Sequence, residues 1–152
     1  MNTFLLPAVG LLAGAAISIQ SALSGQLSQR LRNPMLASAS VYLVGFVCIA
    51  LFLSIRSSSF PSRSTLLETP RHLWVLGGAI SATALSSVYW AMPKLGIGST
   101  LIWVICGQLI CGALASHLSW FHLPASPLST QRLLALALVF AGALLYTRQP
   151  TI

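Results

Sequence analysis

Five long apolar runs dominate this sequence, and each is about as long as a helix that crosses the hydrocarbon core of a bilayer. The chain is 56% hydrophobic and only 6% charged, whereas about a quarter of the residues in a soluble domain are charged. Because such a chain cannot cover a water-facing surface, we predict an all-α integral membrane protein surrounded by membrane lipid. The predicted transmembrane helices are 3–27, 35–55, 73–92, 99–120 and 132–146, in a single domain over 1–152.

The segments between the runs are rich in proline, glycine, serine and basic residues. The stretch RSSSFPSRSTLLETPRH is the longest polar segment, and we predict that it is a loop. The stretch PKLGIG predicts a tight turn between the third and fourth helices. In the last connection, Ser129 or Thr130 is expected to cap the fifth helix.

The residue types present exclude several classes of function. Eight basic residues and one acidic residue give a net charge of +7, but the basic residues are spread singly, and we expect no nucleic acid partner. The three cysteines lie inside apolar runs and the histidines lie at the ends of runs, so we expect no metal site and no cofactor. Since Glu68 is the only acid, no serine–histidine–acid set exists, and we predict that the protein is not an enzyme.

The four tryptophans bracket two of the predicted helices. Trp74 and Trp90 lie ~24 Å apart along the third helix, and Trp103 and Trp120 bracket the fourth. This spacing is typical of the aromatic belts at the two membrane–water interfaces. Packing inside a helix bundle is the alternative.

Small residues share one face on several of the predicted helices. In membranes, such faces let another helix approach closely, and polar residues beside them fit helices gathered around a shared interior. The positions assigned to helix packing are Gly10, Gly14, Gly25, Gly78 and Gly107.

Glutamines inside the apolar runs are the most informative polar residues. A glutamine can donate two hydrogen bonds and can accept others, so it suits a neutral, zwitterionic or anionic solute, but it does not titrate near neutral pH. The alternative is a hydrogen bond between helices, worth ~0.6 kcal/mol on average in membranes. With both roles open, the predicted substrate-binding residues are Gln20, Ser24, Ser81, Tyr89 and Gln108.

The basic residues are balanced across the predicted topology. Five spans put the termini on opposite sides of the membrane, and an excess of basic residues normally marks the cytoplasmic side. The balance therefore predicts insertion in both orientations and an antiparallel dimer, whereas the alternative is a partner subunit that sets one orientation. The side of the N-terminus carries Arg56, Arg63, Arg71 and Arg132, and the other side carries Arg30, Arg32, Lys94 and Arg148.

Five stretches follow, in order, the pattern of a known family, and together they cover nearly the whole chain. They are IQSALSGQL, NPMLASASVYLVG, WVLGGAISA, MPKLGIGSTLIWVICGQLICGALASHLSWF and PLSTQRLLALALVFAGALL. The chain thus resembles the YdcZ-type branch of the drug/metabolite transporter superfamily. Family positions are matched by Gln20, by LGG at 76–78, by PKLG at 93–96 and by GQ at 107–108.

The resemblance implies a small bacterial inner-membrane protein whose five helices are half of a ten-helix, inverted-repeat transporter. It implies a small-molecule transporter that acts by alternating access, either as an antiparallel homodimer or as a heterodimer with a related five-helix chain. Ser24 stands where the family often has asparagine, and Ser116 stands where it often has aspartate, so no mechanism that uses this aspartate is expected. The alternative function is a non-transporting membrane subunit that stabilises or regulates a partner membrane protein.

Overall fold

The computed structural model describes residues 5–55, 60–120 and 127–148 of the chain. Helices account for nearly all of these residues, and no strand occurs among them. The helices are α1 (Leu5–Leu31), α2 (Pro34–Ile55), α3 (Arg63–Glu68), α4 (Arg71–Leu95), α5 (Ile97–His117) and α6 (Thr130–Thr147). All of them except α3 are long and apolar enough to cross a membrane, which confirms the predicted all-α fold with five transmembrane helices.

The chain divides into two compact units, Met1–Lys94 and Leu95–Ile152, called the first and the second unit below. In the first unit α1 packs against α2, and hydrogen bonds join α4 to both of them. In the second unit α5 packs against α6. The single domain expected over 1–152 stays a prediction.

Two local caps connect α1 to α2. Arg32 has a positive φ of 50°, and the Asn33 amide donates to the Ser28 carbonyl oxygen at 3.2 Å, a pattern that closes many helix C-termini. The Asn33 side chain accepts from the Met35 amide at 3.0 Å, and Pro34 takes the first helical position, where its missing N–H is not needed. Because these caps lie at Arg32 and Asn33, α1 extends beyond its predicted end at residue 27.

A short helix lies in the polar connection for which the sequence predicts a loop. The Ser62 hydroxyl accepts from the Thr65 amide at 3.3 Å and caps the start of α3. At the end of α3 the Thr69 amide donates to the Thr65 carbonyl oxygen, and Pro70, which has no N–H, follows. The loop prediction is therefore wrong for Arg63–Glu68, because a serine cap and a proline stop are enough to define one and a half turns.

The turn predicted over 93–98 is a single residue in the structure. α4 continues through Pro93 to Leu95, since proline is tolerated in membrane helices better than in soluble ones. Gly96 separates α4 from α5 with a φ of 82°, a conformation that glycine adopts without the steric cost of a Cβ. The third span therefore ends later, and the fourth begins earlier, than the sequence predicts.

The start of α6 is set by Ser129. Its hydroxyl oxygen accepts from the Arg132 amide at 3.3 Å, so Ser129 is the cap and Thr130 is the first helical residue. This outcome confirms one of the two predicted capping residues. It also places Arg132 in the first turn of α6.

Most of the large apolar side chains on the five long helices are exposed, as expected for helices that face lipid. In the first unit the small face predicted on α1 is buried in its C-terminal half and exposed at Gly10 and Gly14. Small residues at helix contacts allow the close approach that stabilises membrane bundles. The buried residues of α1 and α2 are Ser21, Ser24, Gly25, Ser28, Ala37 and Ser38.

Candidate functional site

Three of the predicted substrate-binding residues lie together in the first unit. The Gln20 amide nitrogen Nε2 donates to the Tyr89 hydroxyl at 2.7 Å and to the Ser24 hydroxyl oxygen at 3.2 Å. Gln20 and Ser24 are one turn apart on α1, and Tyr89 comes from α4. The ring of Tyr89 is completely buried, so this polar cluster joins two helices at a point where water does not reach the tyrosine.

The geometry of this cluster defines what it can bind. Both N–H groups of the Gln20 amide are engaged in the two hydrogen bonds, which leaves its carbonyl oxygen as an acceptor. The Tyr89 hydroxyl accepts from Gln20 and keeps its own hydrogen as a donor. Gln20 is half-buried. The cluster therefore combines a contact between helices with one acceptor, the Gln20 carbonyl oxygen, for a polar solute.

Ser81 is not part of this cluster, because it lies about two turns before Tyr89 on α4. Its hydroxyl oxygen is 2.5 Å from the hydroxyl oxygen of Tyr42 on α2, and the Ser86 hydroxyl donates to the Ser38 hydroxyl oxygen at 2.9 Å. These two contacts flank a cavity of about 460 Å³ between α2 and α4. Its lining is Met35, Ser38, Ala39, Tyr42, Ala82, Thr83, Ser86 and Ser87.

Gln108 lies in the second unit, on a groove between α5 and α6. The groove has a volume of about 580 Å³, and we call it the α5–α6 groove. Among the residues that the structure describes, no hydrogen bond partner of the Gln108 side chain is found. The lining residues are Gln108, Leu109, Gly112, Ala113, Ser116, Leu128, Arg132, Ala135, Leu136 and Val139.

Arg132 and Tyr42 are residues of these cavities that sequence reasoning missed. In the sequence, Arg132 stands out only as one of the basic residues that flank the predicted spans. A signal was present, because a cation in the first turn of a helix opposes the helix dipole and so calls for a reason. For Tyr42 the signal was a lone phenol in an apolar run, whose hydroxyl needs a partner.

The glycines assigned to helix packing differ in their surroundings. A Cβ on Gly25 would lie 2.7 Å from the sulfur of Met92, so α1 and α4 approach closely there. Gly98, which is not among the predicted packing residues, lies against the ring of Tyr146, and a Cβ would be 3.1 Å from its Cζ. Packing remains a prediction for the other four glycines, which have no atom of the described chain within 4 Å of a Cβ position: Gly10, Gly14, Gly78 and Gly107.

The tryptophans divide between the two predicted roles. Trp103 contacts Phe140 edge to face, with ring centroids 5.5 Å apart, so it packs between α5 and α6. Trp74, Trp90 and Trp120 are exposed. The Lys94 ammonium lies 3.2 Å above the Trp90 ring, a cation–π contact at the end of a span. For these three an interfacial belt stays a prediction.

Within residues 5–55, 60–120 and 127–148, no group of three or more histidine, cysteine, aspartate or glutamate side chains could hold a metal ion. The cysteines are free thiols, and Cys106 is the buried one. The His117 ring nitrogen Nδ1 accepts from the Leu128 amide at 3.3 Å, which ties the chain before α6 to the end of α5. His117 therefore has a local structural contact in the second unit.

Comparison with known sequences gives one family. The family described as "Putative inner membrane exporter, YdcZ" matches residues 5–145, which include all five transmembrane helices. No curated protein and no solved structure matches the chain significantly.

Proposed function

We propose that this chain, which belongs to the YdcZ family of inner membrane exporters, exports a small solute as one half of a dimer that works by alternating access. The family match carries the proposal, because it extends over five apolar helices of spanning length. The family supports the multi-pass membrane location and a transporter-like role. The solute class, the dimer and the mechanism are the further content of the proposal.

The odd number of spans supports the dimer. Transporters with inverted repeats relate their halves by a two-fold axis in the membrane plane, and they place the solute site near the midplane between the halves. One chain with five spans supplies one such half. A second copy in the opposite orientation supplies the other half, and the four basic residues on each side permit that orientation.

Polar residues at mid-span support a solute site in the interior of such a dimer. Gln20 is the sixteenth of the 27 residues of α1, and Gln108 is the twelfth of the 21 residues of α5. A polar side chain at this depth is costly unless it meets a partner or water. Tyr89 meets this need for Gln20, and we assign the solute to Gln108.

The site is uncharged at mid-span, and this restricts the coupling of transport. Glu68 is the only acid of the chain, and it lies in α3, outside the spans. A buried carboxylate can carry protons because desolvation raises its pKa, whereas an amide cannot. Transport is therefore not coupled to a proton that a buried carboxylate carries. It is driven by the gradient of the solute itself or of another ion.

Inside-out membrane vesicles from cells that express the chain test this function. Vesicles are incubated with a metabolite extract, and their contents are compared by mass spectrometry with those of vesicles that contain the Gln108→Ala variant. We expect one solute, or a small group of related solutes, to accumulate with the wild-type chain and at least about fivefold less with the variant, since loss of a buried hydrogen bond costs about 1–3 kcal/mol.

The matched control is Gln26→Ala, because Gln26 is an exposed glutamine near the end of α1. It should accumulate the same solutes as the wild type. Equal vesicle contents with and without the chain, together with stoichiometric co-purification of another membrane protein, would instead support a non-transporting subunit.

A further inference from the structure

The α5–α6 groove has a different chemical group at each end. On α5, Gln108, Gly112 and Ser116 are spaced by four residues and so form one row. On α6 the wall is formed by Arg132, Leu136 and Val139. The helices run in opposite directions, because Trp103 contacts Phe140 and His117 contacts Leu128. Ser116 therefore lies toward Arg132 at one end, and Gln108 lies at the other.

The depth of the groove follows from the length of α5. Ser116 is the penultimate residue of α5, and Gln108 is near the middle of this helix. At the helical rise, these two residues are ~12 Å apart along the axis, and the hydrocarbon core is about 30 Å thick. The groove thus extends from the level of the membrane surface to about the midplane.

The end at the membrane surface is electropositive. Arg132 lies in the first turn of α6, where the helix dipole is also positive, and its Nη1 donates to the Pro127 carbonyl oxygen at 3.4 Å. None of the described residues that line the groove is acidic. A guanidinium binds carboxylates and phosphates through paired hydrogen bonds, so an anionic group is the natural occupant of this end.

The end of the groove at the membrane midplane carries the side-chain amide of Gln108. Gln108 is exposed there, and no partner for its side chain exists among the described residues. The acyl chain of a lipid gives a glutamine no hydrogen bond, whereas a solute with an uncharged polar group would satisfy it. Between the two ends the walls are apolar, at Gly112, Ala113 and Leu136. The volume of about 580 Å³ is in the range of sites for small organic ligands.

We infer that the α5–α6 groove binds an elongated amphipathic organic anion, with its anionic group at Arg132, an uncharged hydrogen-bonding group at Gln108 and an apolar body between them. This inference rests on the proposed function in one respect, since it takes this ligand to be the class of solute that the chain exports. Arg132 and Gln108 then set the two ends of the solute, and their separation selects its length.

Calorimetric titration tests the site with purified wild-type protein in nanodiscs of phosphatidylcholine. The probe is 10-hydroxydecanoate, which has a carboxylate and a hydroxyl at opposite ends of an apolar chain. The comparison ligands are decanoate, which lacks the hydroxyl, and 1,10-decanediol, which lacks the charge. We expect 1,10-decanediol to bind at least about tenfold more weakly, since it loses a charge-assisted contact. Decanoate should bind at least about fivefold more weakly, since it loses a neutral hydrogen bond.

Variants of Arg132 and Gln108 test which end of the ligand each residue binds. Arg132→Gln should weaken binding of 10-hydroxydecanoate at least about tenfold, and Arg132→Lys, which keeps the charge, should weaken it less. Gln108→Leu should bring 10-hydroxydecanoate to the affinity of decanoate and leave decanoate itself unchanged, which is the pattern of a coupled pair. The matched controls are Arg148→Gln at the other end of α6 and Gln26→Leu on α1, and both should bind as the wild type does.

Two results would overturn the inference. One is equal affinity for decanoate and 10-hydroxydecanoate together with no effect of Gln108→Leu, because the groove would then hold only an apolar chain. The other is the absence of saturable binding to the wild type for the eight-, ten- and twelve-carbon hydroxy acids. If the vesicles still accumulate a solute without an anionic group, the proposed function stands and this inference alone fails.

Discussion

At the scale of single residues, the chain places amides and hydroxyls where a membrane protein could have placed carboxylates. Gln20 and Tyr89 are joined by a hydrogen bond of 2.7 Å, and Gln108 lies on the α5–α6 groove. The same residue type thus has two different environments. The bond of Gln20 serves the contact between α1 and α4, whereas Gln108 has its side chain on a cavity.

The contact of Gln20 predicts a measurable effect for Tyr89→Phe. The variant removes the hydroxyl and leaves an amide hydrogen without its acceptor. We expect the free energy of unfolding to fall by ~0.6 kcal/mol, the average for hydrogen bonds between membrane helices, and by ~1.7 kcal/mol at most. Reversible unfolding in mixed micelles, followed by circular dichroism, measures this change.

Tyr146→Phe is the control, because Tyr146 is exposed and shows no side-chain hydrogen bond among the described residues. Its effect on the free energy of unfolding should be near zero. In the Gln20→Ala background, Tyr89→Phe should cost less than in the wild type. A cost that is equal in both backgrounds would mean that the hydrogen bond does not stabilise the protein.

At the scale of helices, packing in the first unit depends on small residues at a few positions. Gly25 faces Met92 across the contact between α1 and α4, and serines of α2 and α4 meet at 2.9 Å. Large apolar side chains contribute less, because lipid is as apolar as they are. Shape at the contact, rather than the amount of apolar surface, therefore distinguishes one arrangement of these helices from another.

This dependence on shape predicts that Gly25→Val is destabilising. A Cβ at this position would lie 2.7 Å from the Met92 sulfur and 3.4 Å from its Cγ, so the methionine side chain must move. We expect a loss of about 1–3 kcal/mol in the free energy of unfolding, as for other overpacked contacts. The same unfolding measurement in mixed micelles determines it.

Shortening Met92 tests whether its contact with residue 25 causes the loss of stability in Gly25→Val. In a Met92→Ala background the clash is absent, so Gly25→Val should cost clearly less than in the wild type. Gly14→Val is the matched control on α1, since a Cβ there meets no atom of the described chain within 4 Å. If Gly14→Val destabilises the monomer as much as Gly25→Val, a general effect of valine in α1 explains the result and the contact does not.

At the scale of the whole molecule, the charges at the ends of the spans give a prediction of how the chain inserts. Arg30 and Lys94 lie in the last turns of α1 and α4, and Arg71 and Arg132 lie in the first turns of α4 and α6. The basic residues thus flank the observed helices. Four on each side leave no excess to mark the cytoplasm.

The balance predicts that both orientations occur in one cell. Reporter fusions at Ser62 and at the C-terminus should lie on opposite sides of the membrane in each molecule, because three of the five spans separate them. Each reporter should nevertheless be found on both sides in the population. Protease protection and reporter activity in intact cells measure the two fractions.

Two arginines added beside Ser62 should shift most copies to one orientation and reduce the amount of homodimer. Two glutamines added at the same place are the control, and they should leave both fractions as they are. A wild-type chain found in one orientation only would contradict dual insertion and would favour a heterodimer with a related chain.

The five spans and the cap of α6 could be predicted from the sequence. The thickness of the bilayer sets the length of the apolar runs, and that length alone predicted the five spans. Capping depends on residues next to the helix end, so the neighbouring sequence narrowed the cap of α6 to Ser129 or Thr130. The clustering of small and polar residues on one face of α1 also followed from periodicity.

The tertiary structure decided which helix each polar face meets. Periodicity places Gln20 and Ser81 on faces of their helices, but it does not tell that Gln20 meets Tyr89 while Ser81 meets Tyr42. Lipid is as apolar as a neighbouring helix, so hydrophobicity does not select the neighbour, and close packing and hydrogen bonds do. For the same reason, the position of Arg132 at the end of a groove is decided only by the packing of α6 against α5.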